Sequence, residues 1–384
     1  MTIALMVVLA AAGCAGDVPP AITPPPAPAD VVPWPEMTWG SSFFARPPDG
    51  WTSERVEAVA ASDEGFVAVG LAEANGRERG QVWFSVDGIA WDRVVPADRF
   101  DGVTLIDVAA GPGGFVAVGT SSGDPFLAKE SRLVLFRSPD GRRWERVPDD
   151  AATPPGIATG VGGGPLGYVA VGFTDPEPGP ILLVSADGLA WRTIEAAAAG
   201  DAAGGIGSPV AVDGGWLAVG GPPGTLSVLR SDDGARWEAT AVDGSGTNGT
   251  HVSRVLAGPA GLLATGGASD GCGPFSSCPG QAVVWWSADG AAWGRIAAFD
   301  PSIANGAMTA DPERGFVSVT GSAAWTSADG WSWAPLGEVA AGELGARDIV
   351  LRGDRIVVVG DKYEADASTR VMFLVGGPDI EVLN

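Results

Sequence analysis

Histidine, tyrosine and lysine are nearly missing from this chain. Its 384 residues hold one histidine, His251, two tyrosines, Tyr168 and Tyr363, and two lysines, Lys129 and Lys362. A single imidazole excludes a multi-histidine zinc site, and no Ser-His-Asp set is evident around it. His251, in the stretch TNGTHVSR, reads as a polar surface residue in a loop. The net charge is −23 and is spread along the chain. Without clustered Lys and Arg there is nothing to hold phosphates, which argues against nucleic acid, and no polybasic patch for a membrane surface. Helix periodicity is also scarce. With abundant Gly and 15 Trp, the chain reads as all-β.

Cysteine is sparse too, and each copy has a local reading. The apolar run from Ile3 to Ala12 is about ten residues long, short of the ~20 that span a bilayer. It ends in Ala11-Ala12-Gly13-Cys14, and small residues before a Cys resemble a bacterial lipobox. That implies residues 1–13 as a signal peptide and Cys14 as the lipidated residue; an ordinary secretory signal is the other reading. Either way the chain is exported, to the outer face of the cell membrane or beyond it. Cys272 and Cys278 close the short loop GCGPFSSC. In an exported protein this is a disulfide, with a metal or redox pair as the rival. Residues 14–36 are Pro-rich and read as an extended spacer carrying the anchor. Residues 37–384 form the single folded domain.

What the sequence does have is a phrase repeated six times: Ser, any residue, Asp, Gly, two residues, Trp. It reads SVDGIAW from Ser85, SPDGRRW from Ser138, SADGLAW from Ser185, SDDGARW from Ser231, SADGAAW from Ser287 and SADGWSW from Ser327. A second column precedes it: GFVAVG at Gly65 and Gly114, GYVAVG at Gly167, GWLAVG at Gly215, GLLATG at Gly261, GFVSVTG at Gly315 and RIVVVG at Arg355. Seven copies at a period of about 47 residues suit four-stranded propeller blades. In the last unit, VMFLVGGPDIEVLN, a strand, a Gly-Gly-Pro turn and a last strand are expected although the Ser, Asp and Trp are lost, and because a ring must close the stretch from Met37 to Phe44 is expected to add a strand to it. A seven-bladed β-propeller of antiparallel blades is the expectation, with six blades plus flanks as the alternative.

Within the phrase, Gly supplies the positive φ of a tight reversal. The Asp carboxylate and the Ser hydroxyl bond to amides of the same turn. Trp lies on the departing strand and covers the hairpin. One certain carboxylate per turn is too few for Ca²⁺, which takes six to eight oxygens. Asp87, Asp140, Asp187, Asp233, Asp289 and Asp329 therefore read as structural, and no metal or cofactor is expected.

These phrases resemble the Asp-box, or bacterial neuraminidase repeat, of sialidase-like propellers, with one residue fewer between Asp and Gly. The resemblance implies the propeller fold over about residues 54–384. It also implies a hairpin remote from catalysis. The sialidase machinery of a tyrosine nucleophile with a glutamate, three arginines and an aspartic acid does not map. Tyr168 falls in the core column, and Tyr363 alone stands outside it.

Blade topology places the loops between second and third strands on the face opposite the phrases. Three of them are long and charged and belong to neighbouring blades seven, one and two. Arg77, Arg79, Lys129, Glu130, Arg132, Lys362, Tyr363, Glu364 and Arg370 are expected in that sector, as a binding site or as a solvated charged rim. The expectation is a monomeric binding or scaffold module for a protein or glycan. The alternative is a glycoside hydrolase with Glu130 and Glu364 as its carboxylate pair.

Overall fold

The Gly-aromatic segments form the second strands of seven four-stranded antiparallel sheets arranged in a ring, a seven-bladed β-propeller. The structure is a computed structural model. It describes residues 28, 30–43, 47–94, 97–121, 131–148, 155–174, 179–195, 206–220, 227–242, 251–268, 281–296, 299–304, 306–320, 322–339, 344–363 and 369–380. Cys14, Lys129, Glu130, Cys272, Cys278 and Glu364 lie outside the described residues. Among the described residues no helix is long and apolar enough to cross a membrane.

Blade 1 shows the plan: Ser53–Ser62, Gly65–Ala74, Arg77–Ser85 and a two-residue outer strand, Asp92–Arg93. Its second strand is buried on both faces, which is why that column is a run of small and β-branched residues instead of an alternation. The outer strands of blades 2, 3 and 5 are equally short, so little free edge is exposed for pairing with other chains.

The hairpin phrase has one geometry throughout. The Asp carboxylate accepts the backbone N–H two residues on, as from Ile89 to Asp87 and Ala235 to Asp233 (both 2.8 Å). The Trp indole N–H donates to the carbonyl of the hairpin Gly in all six copies, at 2.9–3.3 Å. Trp does more than cover its own hairpin, because its ring enters the interface with the preceding blade. Trp144 of blade 2 packs with Val67 and Phe84 of blade 1, and Trp91 of blade 1 stacks on Phe373 of blade 7 at 4.2 Å. The Gly is fixed twice over. Gly141 has φ +73°, and a Cβ there would lie 2.6 Å from Phe84 of the blade before.

Ring closure joins the two ends of the chain. Thr38–Phe43 pairs antiparallel with Thr369–Gly377 and becomes the outer strand of blade 7. Trp39 sits opposite Gly376. By register this is the position that the hairpin Trp holds opposite the Ser of the phrase, since Gly376 pairs with Ile356 as Ser85 pairs with Phe66. Trp39 is buried in the cluster between blades 6 and 7. The indole that the decayed phrase lost is thus supplied from the other end of the chain. A Cβ on residue 376 would lie 2.8 Å from that ring, which explains Gly in place of Ser. Upstream of it the chain runs along blade 6. Val32 N–H donates to Glu313 O (3.0 Å), and Arg314 lies 4.8 Å over the Trp34 ring.

Candidate functional site

The first strands line the axis of the ring. In five of them an extra residue interrupts the register at one level: between Val56 and Ala58, Leu105 and Asp107, Ala158 and Gly160, Val252 and Arg254, and Ala346 and Asp348. A bulge re-aims the side chains beside it. These bulges lie near the strand starts, on the side of the second-to-third-strand loops. The recess they surround has a volume of about 320 Å³.

Aligned by register or by spacing, the same level holds Ala58, Asp107, Gly160, Ser208, Arg254, Ala307 and Asp348, one residue per blade. Two of these carboxylates bind across blades. Asp107 of blade 2 accepts Val161 N–H of blade 3 (2.9 Å) and the Ser208 hydroxyl of blade 4 (2.8 Å) on one oxygen. Its other oxygen accepts Val108 N–H (2.8 Å). The reach over blade 3 depends on Gly160, where a Cβ would stand 1.9 Å from Ser208 Oγ. Asp348 of blade 7 accepts Val59 N–H of blade 1 (3.0 Å) and the Arg254 guanidinium of blade 5 (3.0 Å). Arg254 also donates to Met308 O of blade 6 (2.6 Å).

Asp107 is walled in by the surrounding blades, yet water in the recess reaches it. Burial, and next the negative charge of Asp348, push its carboxyl up to about 6. No cation among the described residues pairs with it. Arg347, on the bulge of blade 7, bonds Asp361 (2.6 Å) and Glu57 (3.2 Å). Among the described residues no group of three or more His, Cys, Asp or Glu is placed to hold a metal ion.

The described members of the expected rim lie on the same face, farther out. Arg77 and Arg79 both lie over the Trp51 ring, at 5.5 and 4.6 Å, and Arg79 also faces Asp101 (3.9 Å). Lys362 and Arg370 stand opposite each other in the blade 7 hairpin, with Tyr363 opposite Thr369 beyond them. Arg132 starts the third strand of blade 2. Blades 7, 1 and 2 are adjacent as expected. Asp361 joins this sector to the recess through Arg347. His251 opens the first strand of blade 5 instead of sitting in a loop, because the strand runs back through the polar stretch as far as its pairing with Gly267. Tyr168 is a core residue, its hydroxyl donating to Gly114 O (2.9 Å).

The axial residues escaped a reading that looked to loops. A signal for them exists: Asp107, Ser208 and Arg254 stand seven residues ahead of the second-strand Gly, and Asp348 seven ahead of Arg355 in that column.

No family model matches the chain, and no curated protein matches it. Among solved structures it is similar to a catalytically inactive virginiamycin B lyase from Staphylococcus aureus with quinupristin, at a TM-score of 0.52 and 8% identity, over 88% of this chain and 99% of that one. A streptogramin B lyase structure matches at a TM-score of 0.52 and 9% identity, over 89% and 98%. At such identity the likeness is one of fold.

Proposed function

We propose that this propeller is an exported, lipid-anchored binding module whose face opposite the Asp-Gly hairpins receives a protein or glycan partner. The hairpins fit the Asp-box reading, and Cys14 is the anchor in this proposal. The observation that carries it is the charged axial recess, in which Arg254 bonds Asp348 and Arg347 bonds Glu57. These ion pairs present fixed polar groups to a ligand. Arg77, Arg79, Arg132, Lys362, Tyr363 and Arg370, with Lys129, Glu130 and Glu364, supply the outer contacts. The experiment is capture from membranes with the anchored protein, followed by identification of what is retained. Arg254→Ala, and separately Arg132→Ala with Tyr363→Ala, are expected to lose the captured partner. Retention in both variants would place the site elsewhere.

A glycoside hydrolase is the second reading. What favours it is the pairing in one recess of Asp107, held up to about 6, with Asp348, tied to Arg254. Two carboxylates in unlike surroundings are the raw material of acid–base glycoside cleavage. Turnover of chromogenic sialosides or cell-wall glycans, abolished by Asp107→Asn, would establish it in place of the first.

A further inference from the structure

The chain has three Asn-Gly pairs, at Asn75, Asn248 and Asn305. Asn248 and Asn305 lie outside the described residues. Asn75 and Gly76 make up the whole loop between the second and third strands of blade 1, because Ala74 pairs with Arg77 across it. Asn75 has φ +53° and is the one non-glycine residue with a positive φ among the described residues; Gly76 has φ +74°. Two positive φ angles make a type I′ turn, which suits the twist of a hairpin. Both residues are exposed. Among the described residues neither the Asn75 side chain nor the Gly76 N–H has a hydrogen-bond partner. A Cβ on Gly76 would meet nothing within 4 Å. The glycine after Asn305 is held instead. The Gly306 N–H donates to Ile303 O (3.1 Å), and a Cβ there would run into Ser318 Oγ.

We propose that Asn75 is a site of self-modification, in which the Gly76 nitrogen closes a succinimide on the Asn75 side chain and water opens it to aspartate or isoaspartate. The Gly76 N–H gives its proton to solvent base, and its nitrogen bonds to Asn75 Cγ. The Cγ–Nδ2 bond then breaks, and the amide nitrogen takes up protons and leaves as ammonia. Water adding at Cγ opens the ring to aspartate. Water adding at the backbone carbonyl carbon gives isoaspartate, with the main chain running through Cβ and Cγ. The steps consume water alone. The turn is set for the closure. A succinimide fixes the asparagine ψ near that of the first central residue of a type II′ turn, and Asn75 already has that residue's positive φ. Only the peptide between Asn75 and Gly76 has to flip, from I′ to II′. Both turns close a two-residue hairpin, so the Ala74–Arg77 pair is kept. Gly76 takes either sign of φ and has open space around it. At Gly306 the same flip breaks the bond to Ile303. The product sets one new carboxylate two residues from Arg77, which lies over Trp51 at the rim. The site goes beyond the partner proposal and stands without it.

The test is peptide mapping by mass spectrometry of the full chain aged at 37 °C at pH 6, 7 and 8, with isoaspartate counted by enzymatic methyl labelling. Conversion at Asn75 is expected to run tenfold or more ahead of Asn305, and to quicken with pH as the Gly76 nitrogen gives up its proton. Aged in guanidinium chloride, where the fold is gone, the two sites are expected to convert at similar rates. That arm separates the turn from the bare Asn-Gly sequence, and it needs no variant that might fail to fold. Three results would overturn the site: Asn75 still amidated once the denatured chain has converted, a rate at Asn75 independent of pH, or the same ratio of Asn75 to Asn305 in the folded and denatured chains. Ageing needs no partner, and partner capture is read on fresh protein, so either proposal can fail alone.

Discussion

The two faces of this disc use the same side chain to opposite ends. On the hairpin face, Asp87, Asp140, Asp187 and Asp233 accept backbone N–H groups at the surface, and their carboxyls are held below the ordinary value. On the other face Asp107, Glu54 and Asp361 are hemmed in by protein, and burial, the largest influence, holds them above it. A carboxyl lowered by folding stabilises the fold above its unfolded pKa and loses that contribution as pH falls through the folded value. A carboxyl raised by folding favours the fold when protonated, and loses that contribution as pH rises through the folded value. The hairpins are built to hold, whereas the recess and the cavity walled by Glu54 and Asp361 bury carboxyls against their preference to ionise.

The largest expected effect tests the holding face. Trp144→Ala removes a 2%-exposed indole between blades 1 and 2 and is expected to cost about 3–5 kcal/mol in urea unfolding. It should leave the pH dependence of stability between 4 and 6 as in the parent. A change in that slope would mean that the two faces are coupled.

The next sharpens the contrast from the other side. With Asp107 ordinarily at 3.8 and at about 6 in the fold, stability is expected to fall by about 2 kcal/mol as pH rises from 4 to 6. Unfolding measured across that range should show the slope, and Asp107→Asn should flatten it. A slope that survives the substitution belongs to another group.

Gly160→Ala puts a methyl group onto the line from Asp107 to Ser208. An overpacking cost of about 2 kcal/mol is expected, visible as a lower urea midpoint. No loss would show that blade 3 can move aside.

The smallest effect returns to the hairpins. Burial, the largest single influence on Asp140, would raise its carboxyl, but the backbone N–H groups of Arg143 and Arg142 and the Arg143 guanidinium together outweigh it and hold it at about 2; the side chain is partly exposed. Allowing for screening, Asp140→Asn is expected to cost about 1 kcal/mol at pH 7, with the difference vanishing as pH falls from 4 to 2. A difference constant with pH would assign the cost to packing.

The ring was legible in the sequence because its strongest signals recur in phase. The Gly-aromatic strands and the Asp-Gly hairpins need the same residues in every blade for the same steric reasons. The closing strand was legible as a position, since a propeller ring must close, but the role of Trp39 was not. Its partner Gly376 is more than three hundred residues away, and only the register matches it to the hairpin tryptophans. The axial site was harder still. Asp107, Arg254 and Asp348 each arise once, in strands of different sequence, and a bulge shifts the phase beside each. The cavity between blades 7 and 1 draws Glu54 and Asp361 from opposite ends of the chain, and no spacing announces that pair.

The closing strand also decides how the molecule carries load. Thr38–Phe43 starts on the hairpin face, beside Gly377, and ends on the recess face, beside Met372. In the anchored form proposed above, a pull from upstream enters this strand at Thr38, on the hairpin side. A pull applied at the recess and resisted by the tether runs along this strand. It loads the six residue pairs with Met372 to Gly377 together, in shear, instead of peeling them one by one. The seam where the two chain ends meet is thus set in its mechanically stronger direction.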